Sequence, residues 1–121
     1  MARYDMDRFT EAYVEAALSD SLDGAGARLV VCGPESVAPE TVRRMRADCA
    51  MFRLDAGDVA DEFEVRDVAS DFWFERNGRP YGGFLDGDYP EPAASTLTRA
   101  ARGFAPFELY QDDDDGFIRS R

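Results

Sequence analysis

Asp71-Phe72-Trp73-Phe74-Glu75-Arg76-Asn77-Gly78, followed by Tyr81-Gly82-Gly83-Phe84-Leu85, is the stretch on which the fold class turns. Its first half is rich in aromatic residues, which pleated strands accommodate well. Asn77-Gly78 is the strongest two-residue hairpin signal, because both residues tolerate positive φ. The second half has strand length. Its paired glycines point to a bulge or to a place where another backbone or an aromatic ring packs closely. The reading is a β-hairpin over residues 71–85. Alternation puts Phe72 and Phe74 on the core face and Trp73 on the other. Trp73 is then a candidate partner-binding anchor, since Trp is favoured at hot spots, although core packing is the more frequent fate of such a residue.

Helices flank this hairpin. Residues 7–21 read as the first, with Asp7 at its start and Phe9, Ala12, Tyr13, Ala16 and Ala17 at helical spacing. Asp20, Ser21, Asp23, Gly24 and Gly26 end it. Arg28-Leu29-Val30-Val31-Cys32 is a candidate short strand that Gly33-Pro34 cuts off. Pro39 and Glu40 open a second helix, with Pro at the first helical position and an acid in the first turn. Val42, Met45, Cys49 and Phe52 form its buried stripe, and Gly57 ends or interrupts it. Val59, Phe63, Val65 and Val68 belong to a further short helix or an irregular acidic segment. Beyond the hairpin, residues 86–92 carry turn chemistry. Residues 92–103 make a third helix closed by Gly103. Phe107, Leu109 and Ile118 supply a last strand or hairpin whose halves are joined by Asp112, Asp113, Asp114, Asp115 and Gly116. The expected fold class is α+β: three helices on one face of a small antiparallel sheet, in the order α-α-β-β-α-β.

The 121 residues have room for one compact domain, residues 1–121, with a core that needs no staples. A formal net charge of -11 disfavours direct binding to nucleic acid or an anionic membrane and favours basic partners. All 14 basic residues are Arg, the cation best suited to bridging carboxylates. Two cysteines, Cys32 and Cys49, with no His, make no zinc motif. One disulfide between them is conceivable on counting alone, but Cys49 falls on an apolar helix face, where a free thiol is expected. The opening Met-Ala-Arg-Tyr-Asp has no apolar run behind it, and no stretch has membrane-spanning length, so the expected location is cytoplasmic.

No catalytic set stands out, and the expectation is a protein that is not an enzyme and carries no cofactor or metal. The missing His removes the commonest general base, and neither Cys has an activating partner. The four consecutive Asp with Gly116 resemble part of a calcium loop, but no Glu follows at the bidentate position, so a solvated hairpin loop is the better reading. Asp7, Glu11 and Glu15 recur every four residues and share one helix face. Asp55, Asp58, Asp61, Glu62 and Glu64 make a second dense patch. Asp86, Asp88, Glu91 and residues 112–115 make a third. Carboxylates arrayed on a rigid scaffold can imitate the phosphates of a duplex and occupy a basic channel. Asp7, Glu11, Glu15, Asp112, Asp113, Asp114 and Asp115 are the candidate contacts of such a DNA mimic.

Several motifs carry a resemblance. They are Phe9-Thr10-Glu11-Ala12-Tyr13, Ala38-Pro39-Glu40-Thr41 leading to Asp48-Cys49-Ala50-Met51-Phe52, the run from Asp71 to Gly78 with Gly82-Gly83-Phe84, and Leu109-Tyr110 with Asp114-Asp115-Gly116. In this order they resemble an uncharacterised family of small acidic bacteriophage and prophage proteins. The connector at 24–37 and the segment 55–69 depart from that pattern. The resemblance implies a viral origin, with the host cytoplasm as site of action. It raises the expectation of an anti-CRISPR or anti-restriction inhibitor whose partner is a basic host protein or nucleoprotein complex, a restriction or CRISPR effector. The alternative is a phage accessory protein that binds a host factor through the aromatic hairpin.

Overall fold

Asp7 does what its place before the first apolar stripe suggests. In a computed structural model that describes residues 6–21, 26–85 and 89–121, its carboxylate accepts a hydrogen bond from the Thr10 amide (3.1 Å) and caps α1, Arg8–Asp20. Phe9, Tyr13, Val14, Ala17 and Leu18 line the buried side of α1. The expected strand at 28–32 is instead a 3₁₀ turn, Leu29–Cys32, and a second 3₁₀ turn, Pro34–Ser36, follows. α2, Pro39–Ala56, starts at its proline and stops at Gly57, whose φ of 74° suits only glycine without strain. Val42, Met45, Cys49 and Phe52 are its buried stripe, as the spacing predicts. Cys49 is buried, Cys32 half-buried, and both are free thiols. The expected terminators Asp23 and Gly24 and the turn at 86–88 lie outside the described residues.

The hairpin expected over 71–85 is not there. A 3₁₀ turn, Gly57–Asp61, leads into α3, Val65–Arg76, which holds Phe72, Trp73 and Phe74 in a helix. Val68, Ala69, Phe72, Trp73 and Arg76 are buried at spacings of one, three, one and three, a helical stripe. Asn77-Gly78 closes this helix instead of turning a hairpin. The Gly78 amide donates to Glu75 O (3.2 Å) and the Arg79 amide to Phe74 O (2.9 Å), with Gly78 at φ 67°. That is the paired 5→2 and 6→1 pattern of a Schellman cap. The Asn77 side chain donates to Trp73 O (2.9 Å).

Beyond the cap the chain doubles back along α3. A Cβ on Gly82 would lie 2.4 Å from the Phe74 ring, so the close approach read from the paired glycines is real, though made by a loop and not a strand. The Gly83 amide donates to Asp71 Oδ1 (3.2 Å) and the Phe84 amide to Glu75 Oε1 (3.4 Å). Phe84 is fully buried.

α4, Ala93–Arg102, follows, and then two strands, β1 (Leu109–Gln111) and β2 (Ile118–Ser120), which pair antiparallel with Tyr110 opposite Arg119. The ribbon is tied to the helices by the Ala38 amide, which donates to Ile118 O (2.8 Å) at the entry to α2. The fold is α+β in the coarse sense, but rich in helix. The described order is four helices and then a two-stranded ribbon, not three helices over a larger sheet.

One continuous core unites these elements. Its centre is aromatic: Phe52 and Phe72 stack with centroids 4.1 Å apart, Tyr13 stacks on Phe72 at 5.0 Å, and Trp73 meets Tyr13 edge-on at 5.6 Å. Such pairs add about 1 kcal/mol each beyond area burial. The Arg76 guanidinium is buried among them, within 5.1 Å of the Phe104 and Phe107 rings. It donates to Tyr13 Oη (3.0 Å), Asp48 Oδ2 (2.9 Å) and Ala105 O (3.0 and 2.7 Å). Burial pushes the Tyr13 hydroxyl above its ordinary pKa, which keeps it a neutral acceptor for Arg76.

Candidate functional site

α1 places Asp7, Glu11 and Glu15 along one side, and the segment from the end of α2 to the start of α3 adds Asp55, Asp58, Asp61, Glu62, Glu64 and Asp67, all exposed. Two arginines tie the two stretches together. Arg53 bridges Asp7 (3.2 Å) and Asp61 (3.3 Å) while lying 5.1 Å over the Phe9 ring, and Arg66 reaches Glu15 at 3.5 Å. A groove of about 320 Å³ runs between α1 and α3, lined by Arg8, Glu11, Glu15, Glu64, Val65 and Arg66. These elements carry nine carboxylates in all, accompanied by Arg8, Arg53, Arg66 and Arg46, the last lining a second shallow groove with Asp7 and Asp61. The ion pairs are solvent-exposed and contribute little stability, about 0–1 kcal/mol each. They lower the local charge without removing its excess.

The second expected cluster is different in kind. Asp112, Asp115 and Glu40 converge on a single guanidinium, that of Arg119, with Asp115 at 2.6 Å and Asp112 at 3.3 Å. Asp112 Oδ1 also accepts from the Asp114 amide and Asp115 Oδ1 from the Phe117 amide, both at 2.9 Å. The Phe117 amide, with Arg119, holds the Asp115 carboxyl below the usual carboxylate range. These aspartates build the β1–β2 turn. Asp113 and Asp114 remain exposed on it. Among the described residues no group of acidic, Cys or His side chains is arranged to hold a metal ion.

Trp73 has to be withdrawn as a contact residue. It is fully buried, because α3 is a helix and strand alternation does not apply. Its indole Nε1 donates to Asp20 Oδ2 (2.9 Å). Asp20, at the end of α1, also accepts from Arg79 Nε (2.7 Å) and from the Tyr81 hydroxyl. Burial opposes its charge, but the bonds from Tyr81, Arg79 and Trp73 prevail and lower its pKa. Of the aromatic residues on which the accessory-protein alternative depended, Phe72, Trp73 and Phe84 are core, Phe74 and Tyr89 are half-buried, and Tyr81 is exposed.

Asp71 was not singled out from the sequence. It sits on the α3 face with Asp67 and Glu75, and accepts from the Tyr89 hydroxyl (2.8 Å) as well as from Gly83. Burial, reinforced by the nearby Asp67 and Glu75 charges, raises its pKa above the ordinary carboxylate value. The run of acids at positions 64, 67, 71 and 75 was the available signal, hidden by reading residues 71–76 as a strand.

Burial pushes the Cys49 thiol well above its ordinary pKa, so it is no nucleophile at neutral pH. No described helix is long and apolar enough to cross a membrane. No protein-family model matches this chain, and no curated protein or solved structure matches it at a significant level.

Proposed function

We propose that this chain is an acidic binding protein that occupies the cationic, nucleic-acid-binding surface of a partner protein and so excludes nucleic acid from it. The observation that supports this reading is the carboxylate excess on α1 and residues 55–67, where nine acids stand with Arg8, Arg46, Arg53 and Arg66 and the first of them, Asp7, caps α1. Fixed carboxylates act on a basic cleft as phosphates do: they steer encounter and set register, without bases to read. The β-ribbon turn is secondary, since Arg119 already neutralises much of it.

The sequence resemblance to small acidic phage proteins adds the partner class: a host restriction or CRISPR effector complex. The test is displacement of a labelled duplex from such a complex in an equilibrium binding assay. The wild-type chain releases the duplex in a saturable way that weakens with salt. Asp58→Lys/Glu62→Lys/Glu64→Lys, three exposed substitutions, raises the half-effective concentration at least about tenfold. Equal potency of the triple variant would remove this surface from the account.

A further inference from the structure

Asn77 is the only Asn in the chain, and Gly78 follows it. In an Asn-Gly step the Gly amide nitrogen is unhindered, because its residue has no Cβ. That nitrogen can attack the Asn side-chain carbonyl carbon, Cγ. The bond from Cγ to Nδ2 breaks, ammonia leaves, and a five-membered succinimide ring remains. Water then opens the ring at either carbonyl, giving Asp or isoaspartate. The sequence consumes only water and releases only ammonia.

The cap of α3 holds the reacting groups away from this course. Ring closure needs the Gly78 nitrogen eclipsed with Asn77 Cβ, at ψ near about −120°, a sparsely allowed value. The fold fixes ψ of Asn77 at 5°. The Gly78 N–H, whose proton must be lost, is donated to Glu75 O (3.2 Å). Nδ2, the leaving group, donates to Trp73 O (2.9 Å), and Oδ1 accepts from the Phe107 amide (2.8 Å). One neighbour is a carbonyl and the other an N–H, so the side-chain amide has a single satisfied orientation. Gly78 is exposed, so water and base reach the step; bonding and geometry restrain it, not burial.

We propose that Asn77-Gly78 is a site of spontaneous deamidation that the α3 cap keeps shut, so that modification is confined to chains whose cap has opened and then hinders its re-forming. Opening means releasing the segment after α4, which the Phe107 bond and the two bonds from Arg76 to Ala105 O hold against α3. Asp at position 77 sets an anionic acceptor where Nδ2 faced Trp73 O, at the end of a helix where the dipole is already negative. Isoaspartate adds a carbon to the backbone and shifts Gly78 away from Glu75 O. Ammonia is lost to solvent, so the change runs one way. None of these groups belongs to the acidic surface of α1 and residues 55–67, and the two readings stand or fall separately.

Mass spectrometry of the intact chain and of its peptides, after incubation for days in mildly alkaline buffer with and without unfolding guanidinium chloride, is the test. The unfolded chain gains the mass of one deamidation, at Asn77. The folded chain reacts at least about a hundredfold more slowly, because only its open fraction reacts. Guanidinium chloride below the unfolding midpoint speeds the folded chain as it enlarges that fraction. Asn77→Asp, made directly, lowers Tm by at least about 3 °C. Equal rates in folded and unfolded chains, no mass gain in the unfolded chain, or a wild-type Tm for Asn77→Asp would each overturn the proposal.

Discussion

Replacing Arg76 by Met keeps the length of the side chain and removes its charge and donors. The side chain is 4% exposed, so nothing from solvent takes its place. Four hydrogen bonds disappear: one to Asp48, one to Tyr13 and two to Ala105 O. Removing one partner of a buried ion pair costs about 3–5 kcal/mol. Here Asp48 is 30% exposed and can be rehydrated, which moves the figure to the lower end. The Ala105 carbonyl and Tyr13 hydroxyl lose partners as well, but Met restores contact with the surrounding rings, so the expected loss is about 3 kcal/mol. For a chain of this size, that is a large share of a total near 10 kcal/mol. Urea unfolding followed by far-ultraviolet circular dichroism and Trp73 fluorescence reads it as a midpoint lowered by about 2 M. Asp48→Asn, destabilising in the wild type, should do much less in the Arg76→Met background, with a coupling above about 1 kcal/mol. A loss below about 1 kcal/mol, or no coupling to Asp48, would refute the view that this guanidinium pins α1, α2 and α3 to the segment after α4.

Three further outcomes are expected. Gly82→Ala drives a methyl group into the Phe74 ring and destabilises by about 1–3 kcal/mol, measurable as a lower Tm. Asp20 has a lowered pKa in the folded state, so its contribution is present above the unfolded carboxylate value of about 4 and is lost as pH falls through the folded pKa; Asp20→Asn should flatten this acid limb of the stability profile. Asp71 has the opposite sign. Its folded pKa is raised, so stability declines as pH climbs from the ordinary carboxylate value through the folded one. Asp71→Asn, which can keep the Gly83 and Tyr89 bonds, removes that decline and leaves neutral-pH stability equal to or above wild type by denaturant titration.

Where one periodicity ran without competition, the sequence was sufficient. Asp7 as cap, the 42–45–49–52 stripe, Pro39 and Gly57 at the ends of α2, and the 109–118 ribbon around its aspartate turn all appear as read. Besides the strand expected at 28–32, the failure that changed the element order was local and has a physical cause. Aromatic residues carry β propensity and Asn-Gly favours positive φ, but the same pair suits a helix C-cap equally well. What decided between them was the helical stripe entering from Val65, Val68 and Ala69, which only makes sense if position 71 is not a boundary. Tertiary burial against Tyr13 and Phe52 then outweighed strand propensity. The site was legible as charge but not as geometry. The sequence showed the acids, yet not that Arg53 joins Asp7 to Asp61, nor that Arg119 gathers the ribbon's carboxylates.

The association rate with a duplex-binding host effector, measured by stopped flow from low to high salt, probes the central claim most directly. For the wild type the logarithm of the rate should fall steeply as salt rises, and Asp58→Lys/Glu62→Lys/Glu64→Lys should lower the low-salt rate at least about tenfold and flatten that slope, with dissociation little changed. Identical rates and identical slopes for the two proteins would contradict it.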